Sequence, residues 1–129
     1  MSRTCLFLGA VNGFLAVALG AFGAHGLRGH IEPTLMSAFQ TGVQYHGLHA
    51  LGLLCVGLLA LHHPSAWLTR SGWLLSGGVL VFSGSLYLMA LTGSRALGVI
   101  TPFGGIALLA GWLALAWAIW QIPSRENTH

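Results

Sequence analysis

Of the seven histidines in this chain, three sit where polar chemistry inside an apolar environment is available. His46 and His49 are three residues apart, so on a helix they occupy adjacent parts of one face. Tyr45 precedes His49 by four residues and neighbours it in the same way. His25 ends the preceding apolar run, and the polar stretch His25 to Pro33 leads back toward His46. That connection predicts one membrane depth for His25 and His46. The other four histidines read as solvated or interfacial: His30 in the polar stretch, His62 and His63 beside Pro64, and His129 at the tail. More uncharged polar residues fall at the level of His46. Gln40, Thr41 and Gln44 precede the second apolar run, Ser83, Ser85 and Tyr87 belong to the third, and Thr92, Ser94 and Thr101 flank the next loop. The other half of the chain's apolar segments has little beyond Asn12 and Ser76.

Neutral imidazole ligates zinc or copper, and two imidazoles can hold a haem axially. His25, His46 and His49 are the ligand set if a metal is bound. The signature is weak. His-x-x-His lacks the glutamate of the zinc-peptidase motif, Glu32 is the one carboxylate nearby, and neither Cys5 nor Cys55 joins the group. Two further readings stand beside the metal: hydrogen bonding between helices, and a ligand or proton path. No cofactor is assigned. Catalytic signatures are absent too. The chain has no aspartate, so neither a Ser-His-Asp triad nor an intramembrane aspartate pair can form. It has no lysine, and hence no phosphate-binding loop of the lysine type. A Ser-His pair from Ser83 or Ser85 with His46 or His49 is the remaining nucleophilic arrangement, although serines in Gly-Ser runs ordinarily serve packing. The expectation is a protein that is not an enzyme. Cys5 and Cys55 lie at different depths, which argues against a disulfide.

The elements that must position these residues follow from composition. The 129 residues are 55% hydrophobic and 5% charged, where a soluble domain carries about 25% charge. Mean hydropathy is +0.78. Five arginines and two glutamates cannot coat a soluble fold of this size. The chain is therefore an integral membrane protein whose first partner is the lipid bilayer. A net charge of +3, carried by scattered single arginines, excludes a nucleic-acid binder.

Charges and prolines cut the chain into four spans, at about 5–24, 45–61, 72–91 and 103–122. Each is near the ~20 residues that cross a bilayer core. Residues 34–44 read as a short interfacial segment with Leu35, Phe39 and Val43 on one side. Pro102 near the start of span four and Pro123 after its end fit the positions proline favours. The fold class expected is all-α, a four-transmembrane-helix bundle forming a single domain over 1–129. The first span also resembles a secretory signal peptide, with Arg3 before it and small residues around Ala21 to Ala24. Its length favours a retained span.

Helices in lipid associate by close packing, which needs small residues. Glycine numbers 19, and Gly9-xxx-Gly13, Ala16-xxx-Gly20-xxx-Ala24, Ser76-Gly77-Gly78 and Ala110-xxx-Ala114-xxx-Ala118 supply them. Such patterns serve packing within the chain first; a homo-oligomer or larger membrane complex is the alternative use. The two hairpins echo one another too loosely to count as a repeat. Arg3, Arg70 and Arg125 fall on the side of the termini and Arg28 and Arg95 on the other, which predicts both termini in the cytoplasm. Trp67, Trp73, Trp117 and Trp120 read as one aromatic belt, Tyr45 and Tyr87 as the other.

Four segments, Gly20-Ala-Phe-Gly-Ala-His-Gly-Leu27, Thr41-Gly-Val-Gln-Tyr-His-Gly-Leu-His-Ala50, Phe82-Ser-Gly-Ser-Leu-Tyr87 and Ile100-Thr-Pro-Phe-Gly-Gly105, resemble the YgdD-type small membrane proteins, whose eukaryotic relatives are called transmembrane protein 256. The resemblance runs along nearly the whole chain. It implies a four-span protein of the bacterial cytoplasmic membrane and no established biochemical activity. The motif residues it carries over are His25, Tyr45, His46, His49, Ser83, Ser85, Tyr87, Thr101 and Pro102. One departure stands out. Gly47 is small between His46 and Leu48, which predicts looser packing there.

Overall fold

The computed structural model describes residues 1–124, so Arg125 and His129 of the topology and histidine readings lie outside it. The described chain is helical and contains no strand. Helix α1 spans Ser2–Phe22 and continues into a wider π turn over Gly23–Leu27. Helix α2 spans Pro33–His62, α3 spans Ala66–Thr92, and α4 spans Thr101–Trp120 after a short 3-10 turn at Arg95–Val99. All four are long and apolar enough to cross a membrane. Local chemistry explains the ends. Pro33 and Pro102 occupy first-turn positions, where the missing N–H costs nothing. Ser65 caps α3 by accepting from the Trp67 N–H at 3.1 Å, and Gly93 ends it at φ 75°, a conformation that suits a residue without Cβ.

Two expectations about span limits need correction. Residues 34–44 are not a separate interfacial segment; they form the first three turns of α2. No residue between Pro33 and His62 breaks a helix strongly enough, and Leu35 and Phe39 are buried on the expected face while Val43 is half-buried. A 30-residue helix is about 45 Å long, so α2 reaches past the ~30 Å hydrocarbon core into the headgroup layers. Helix α3 likewise begins at Ala66, which makes Trp67 and Arg70 helical.

Consecutive helices pack against one another, α1 on α2, α2 on α3 and α3 on α4, whereas α1 and α4 share no comparable contact. Helices α2 and α3 therefore form the centre and α1 and α4 flank it. Small residues set the spacing. A Cβ on Gly9 would lie 3.0 Å from the Ala50 carbonyl oxygen of α2, and one on Gly104 would collide with the Phe82 backbone of α3. Buried side chains form two clusters. One contains Cys5, Leu53, Val56, Leu75, Val79 and Leu108; the other contains Leu27, Leu35, Met36, Phe39 and Ala90. Along α2 and α3 the interval between these clusters holds His46, His49 and Ser83, all buried. Both cysteines are free, Cys5 buried and Cys55 exposed.

Gly47 is half-buried, and a Cβ there would meet only the Ala16 Cβ at 3.9 Å, so its surroundings have room for a methyl. Gly47→Ala is expected to stabilise the protein in detergent by about 0.5–1 kcal/mol through helix propensity. Gly104→Ala is expected to destabilise it by about 1–3 kcal/mol, because backbone must move. Thermal or chemical unfolding of the two variants side by side checks the contrast.

Candidate functional site

Polar atoms inside a bilayer cannot fall back on water, so each buried one is expected to find a protein partner. Asn12, in α1, donates from Nδ2 to the Leu8 carbonyl at 2.7 Å. This orients its Oδ1 toward His46 of α2, whose Nε2 lies 2.7 Å away. A carbonyl oxygen only accepts, so the hydrogen of His46 is on Nε2. The Nδ1 atom of His46 lies 2.9 Å from the Tyr87 hydroxyl of α3. The one carboxylate among the described residues, Glu32, pairs with Arg95, so none is at hand to hold an imidazolium; the ring is neutral and Tyr87 donates to Nδ1. His46 thus bridges α1 and α3.

His49 is wired the opposite way. Its Nδ1 lies 2.7 Å from the Tyr45 carbonyl one turn earlier, so Nδ1 carries the hydrogen. Its Nε2 accepts from the indole N–H of Trp112, in α4, at 3.0 Å. Both partners fix the neutral ring and its tautomer. Ring contacts reinforce the placement: His49 meets Trp112 edge-on at 5.7 Å, and Tyr45 stacks on His49 at 6.1 Å and tilts against Phe82 at 4.7 Å.

The hydroxyls complete the cross-links. Ser83 donates to the Gly42 carbonyl of α2 at 2.8 Å, and Ser71 to the Gly111 carbonyl of α4 at 2.8 Å. Ser85 lies 2.9 Å from the Phe82 carbonyl and 2.5 Å from the Thr101 hydroxyl at the start of α4. At the ends of the helices away from the termini, Arg95 pairs with Glu32 and also donates to Thr34 at 3.0 Å, joining the first loop to the third. Ser76 is the exception: among the described residues its Oγ is buried without a partner.

Of the expected site residues, the structure pairs His46 with Tyr87 and, one turn on, Tyr45 with His49. Ser83 holds the same α2–α3 contact, and Ser85 with Thr101 ties α3 to α4. His25 does not join them. It is exposed in the π turn after α1, whereas His46 is thirteen residues into α2, about 20 Å from its start. The shared depth expected for the two fails because α2 begins at Pro33. Among the described residues no group of three His, Cys, Asp or Glu side chains could hold a metal. The ring nitrogens of His46 and His49 are already engaged. Neither Ser83 nor Ser85 hydrogen-bonds to a histidine, so the Ser-His pair is not formed. Tyr87 is not a belt residue: its hydroxyl turns inward to His46.

Three partners escaped the sequence reading. Asn12 was visible as the strongly polar residue of span one. Trp112 carried a signal in its position, a tryptophan well inside a span where most lie near the ends. Ser71 fell outside the span as drawn from Gly72.

These features define a polytopic α-helical membrane protein whose central helix is cross-linked to the other three through histidine. The chain belongs to the family described as "Protein of unknown function (DUF423)", whose model matches residues 19–105. It is 47% identical over 114 residues to the UPF0382 membrane protein YwdK of Bacillus subtilis, covering 88% of this chain and 93% of that one. It is 42% identical over 128 residues to the UPF0382 inner membrane protein YgdD of Escherichia coli, covering 99% and 98%. A UPF0382 membrane protein of Haemophilus influenzae is 42% identical over 125 residues, covering 96% and 99%. No solved structure matches the chain.

His46→Ala leaves Asn12 Oδ1 and the Tyr87 hydroxyl without their partner, and is expected to destabilise the protein by about 1–3 kcal/mol. His62→Ala, at the exposed end of α2, is expected to change stability by less than about 0.5 kcal/mol. Equal tolerance of the two in unfolding titrations contradicts the bridge. Nitrogen-15 spectra of labelled histidines are expected to show opposite neutral tautomers, Nε2–H for His46 and Nδ1–H for His49.

Proposed function

We propose that this chain is a non-enzymatic helical subunit of the bacterial cytoplasmic membrane, an accessory element that packs against a larger membrane complex. The observation that carries the reading is the engagement of both ring nitrogens in both His46 and His49. The groups best suited to catalysis or ligation are used in holding helices together, with no free lone pair facing a substrate. What remains on offer is surface. In α1 only Cys5, Gly9 and Ala16 are buried, and Phe7, Phe14 and Val17 point outward, 66 to 75% exposed. In α4, Phe103, Leu109 and Leu113 do the same.

A second reading, a small transporter or a membrane protein that binds a metal, haem or small molecule, draws support from one feature. A cleft of about 450 Å³ opens between α2 and α4, lined by Tyr45, His49, Phe82 and Trp112. Since His49 has no free nitrogen, an occupant of this cleft would be held by aromatic walls and shape. Both readings place the termini in the cytoplasm. Arg3 and Arg70 balance Arg28 and Arg95 among the described residues, and Arg125 tips the count.

Purification in mild detergent separates the two. A stoichiometric partner polypeptide is expected; a lone chain carrying bound metal, haem or organic ligand overturns the accessory role in favour of the second reading. For the orientation, a carboxyl-terminal reporter that works only in the cytoplasm is expected to be active, and activity of a periplasm-only reporter reverses the assignment.

A further inference from the structure

A groove of about 830 Å³ runs between the first turns of α3 and the second half of α4, on the side of the termini. Its floor includes Ala110 and Ala114, whose methyls leave the space open, and Trp67, Trp73 and Trp117 stand along it. At its mouth is Arg70. The guanidinium carbon lies 4.5 Å from the centre of the Trp67 ring. Stacking on an indole holds the guanidinium plane and leaves its N–H edge available. Arg70 forms no hydrogen bond or ion pair with a described residue. Glu32 is paired with Arg95 at the opposite end of the helices, so the described residues bring no anion to Arg70.

We propose that this groove binds an anionic phospholipid, with its phosphodiester on Arg70 and an acyl chain along the alanine floor. Two independent features select that occupant. The guanidinium fork, without a partner among the described residues, matches phosphate oxygens in geometry and charge, which a neutral amphiphile does not use. The apolar trough beyond it matches a hydrocarbon chain, which free phosphate does not use. Basic sites between helices on the cytoplasmic side are suited to anionic headgroups, and flanking tryptophans mark this level as the membrane interface.

The test uses the full chain in nanodiscs of phosphatidylcholine with a small fraction of acyl-brominated lipid, which quenches tryptophan on contact. Brominated phosphatidylglycerol is expected to show about fivefold enrichment over brominated phosphatidylcholine at the groove, the scale one arginine gains at an anionic surface. Arg70→Gln is expected to abolish the difference and Arg3→Gln to preserve it, with circular dichroism establishing that both variants are folded. Arg70→Lys keeps the charge without the fork and is expected to retain part of the preference. Equal quenching by the two lipids in the native chain overturns the proposal. So does a preference that survives Arg70→Gln. Loss of the preference on adding inorganic phosphate at constant ionic strength assigns the site to free phosphate and overturns the lipid. Indoles that neither lipid quenches, in a chain that runs as a dimer, assign the groove to a second copy.

Discussion

An imidazole has two nitrogens, and inside a bilayer neither can be left to water. Most of this structure follows from how His46 and His49 satisfy that requirement. His46 reaches outward in two directions, to Asn12 of α1 and Tyr87 of α3. His49 uses one nitrogen on its own helix and the other on Trp112 of α4. Three residues of separation turn the rings toward different neighbours, so two side chains tie α2 to the other three helices. The opposite tautomers are a consequence of the partners: a carbonyl-type oxygen at Nε2 of one ring, and one at Nδ1 of the other.

This cross-linking matters because lipid supplies little hydrophobic drive for helices to associate. Helices α1 and α4 do not pack substantially on one another, so each depends on its contacts with the central pair. Small residues bring backbones close, as at Gly9 and Gly104, and hydrogen bonds then fix register. Ser83 and Ser71 act this way on the Gly42 and Gly111 carbonyls; both acceptors belong to glycines, whose missing side chains let a neighbouring helix reach the backbone. The polar layer also divides the core into its two apolar clusters. Each pairs long side chains with small ones.

Much of this was legible in the chain itself. Apolar runs bounded by arginine, glutamate and proline located four helices, and the sparse uncharged polar residues pointed to His46, His49, Ser83, Ser85, Tyr87 and Thr101. Depth was harder to read. An α2 starting near Tyr45 would put His25 at the depth of His46; the helix instead begins at Pro33, which carries His46 away from the loop. Tyr87 looked like an interfacial residue because tyrosines often are. Its inward hydroxyl depends on a partner forty-one positions away in sequence.

Composition alone determined the solvent: with 5% charge the chain has no means of covering itself for water. Periodicity and helix-breaking residues determined the number of spans, since each depends only on neighbours along the chain. Pairings across helices were decided by tertiary structure. Whether a histidine between two apolar turns binds a metal, moves a proton or bridges helices depends on which atoms lie within 3 Å of its nitrogens. For His46 those atoms belong to Asn12 and Tyr87, brought there by the packing of α1 and α3 on α2, and that geometry makes His46 a bridge between three helices.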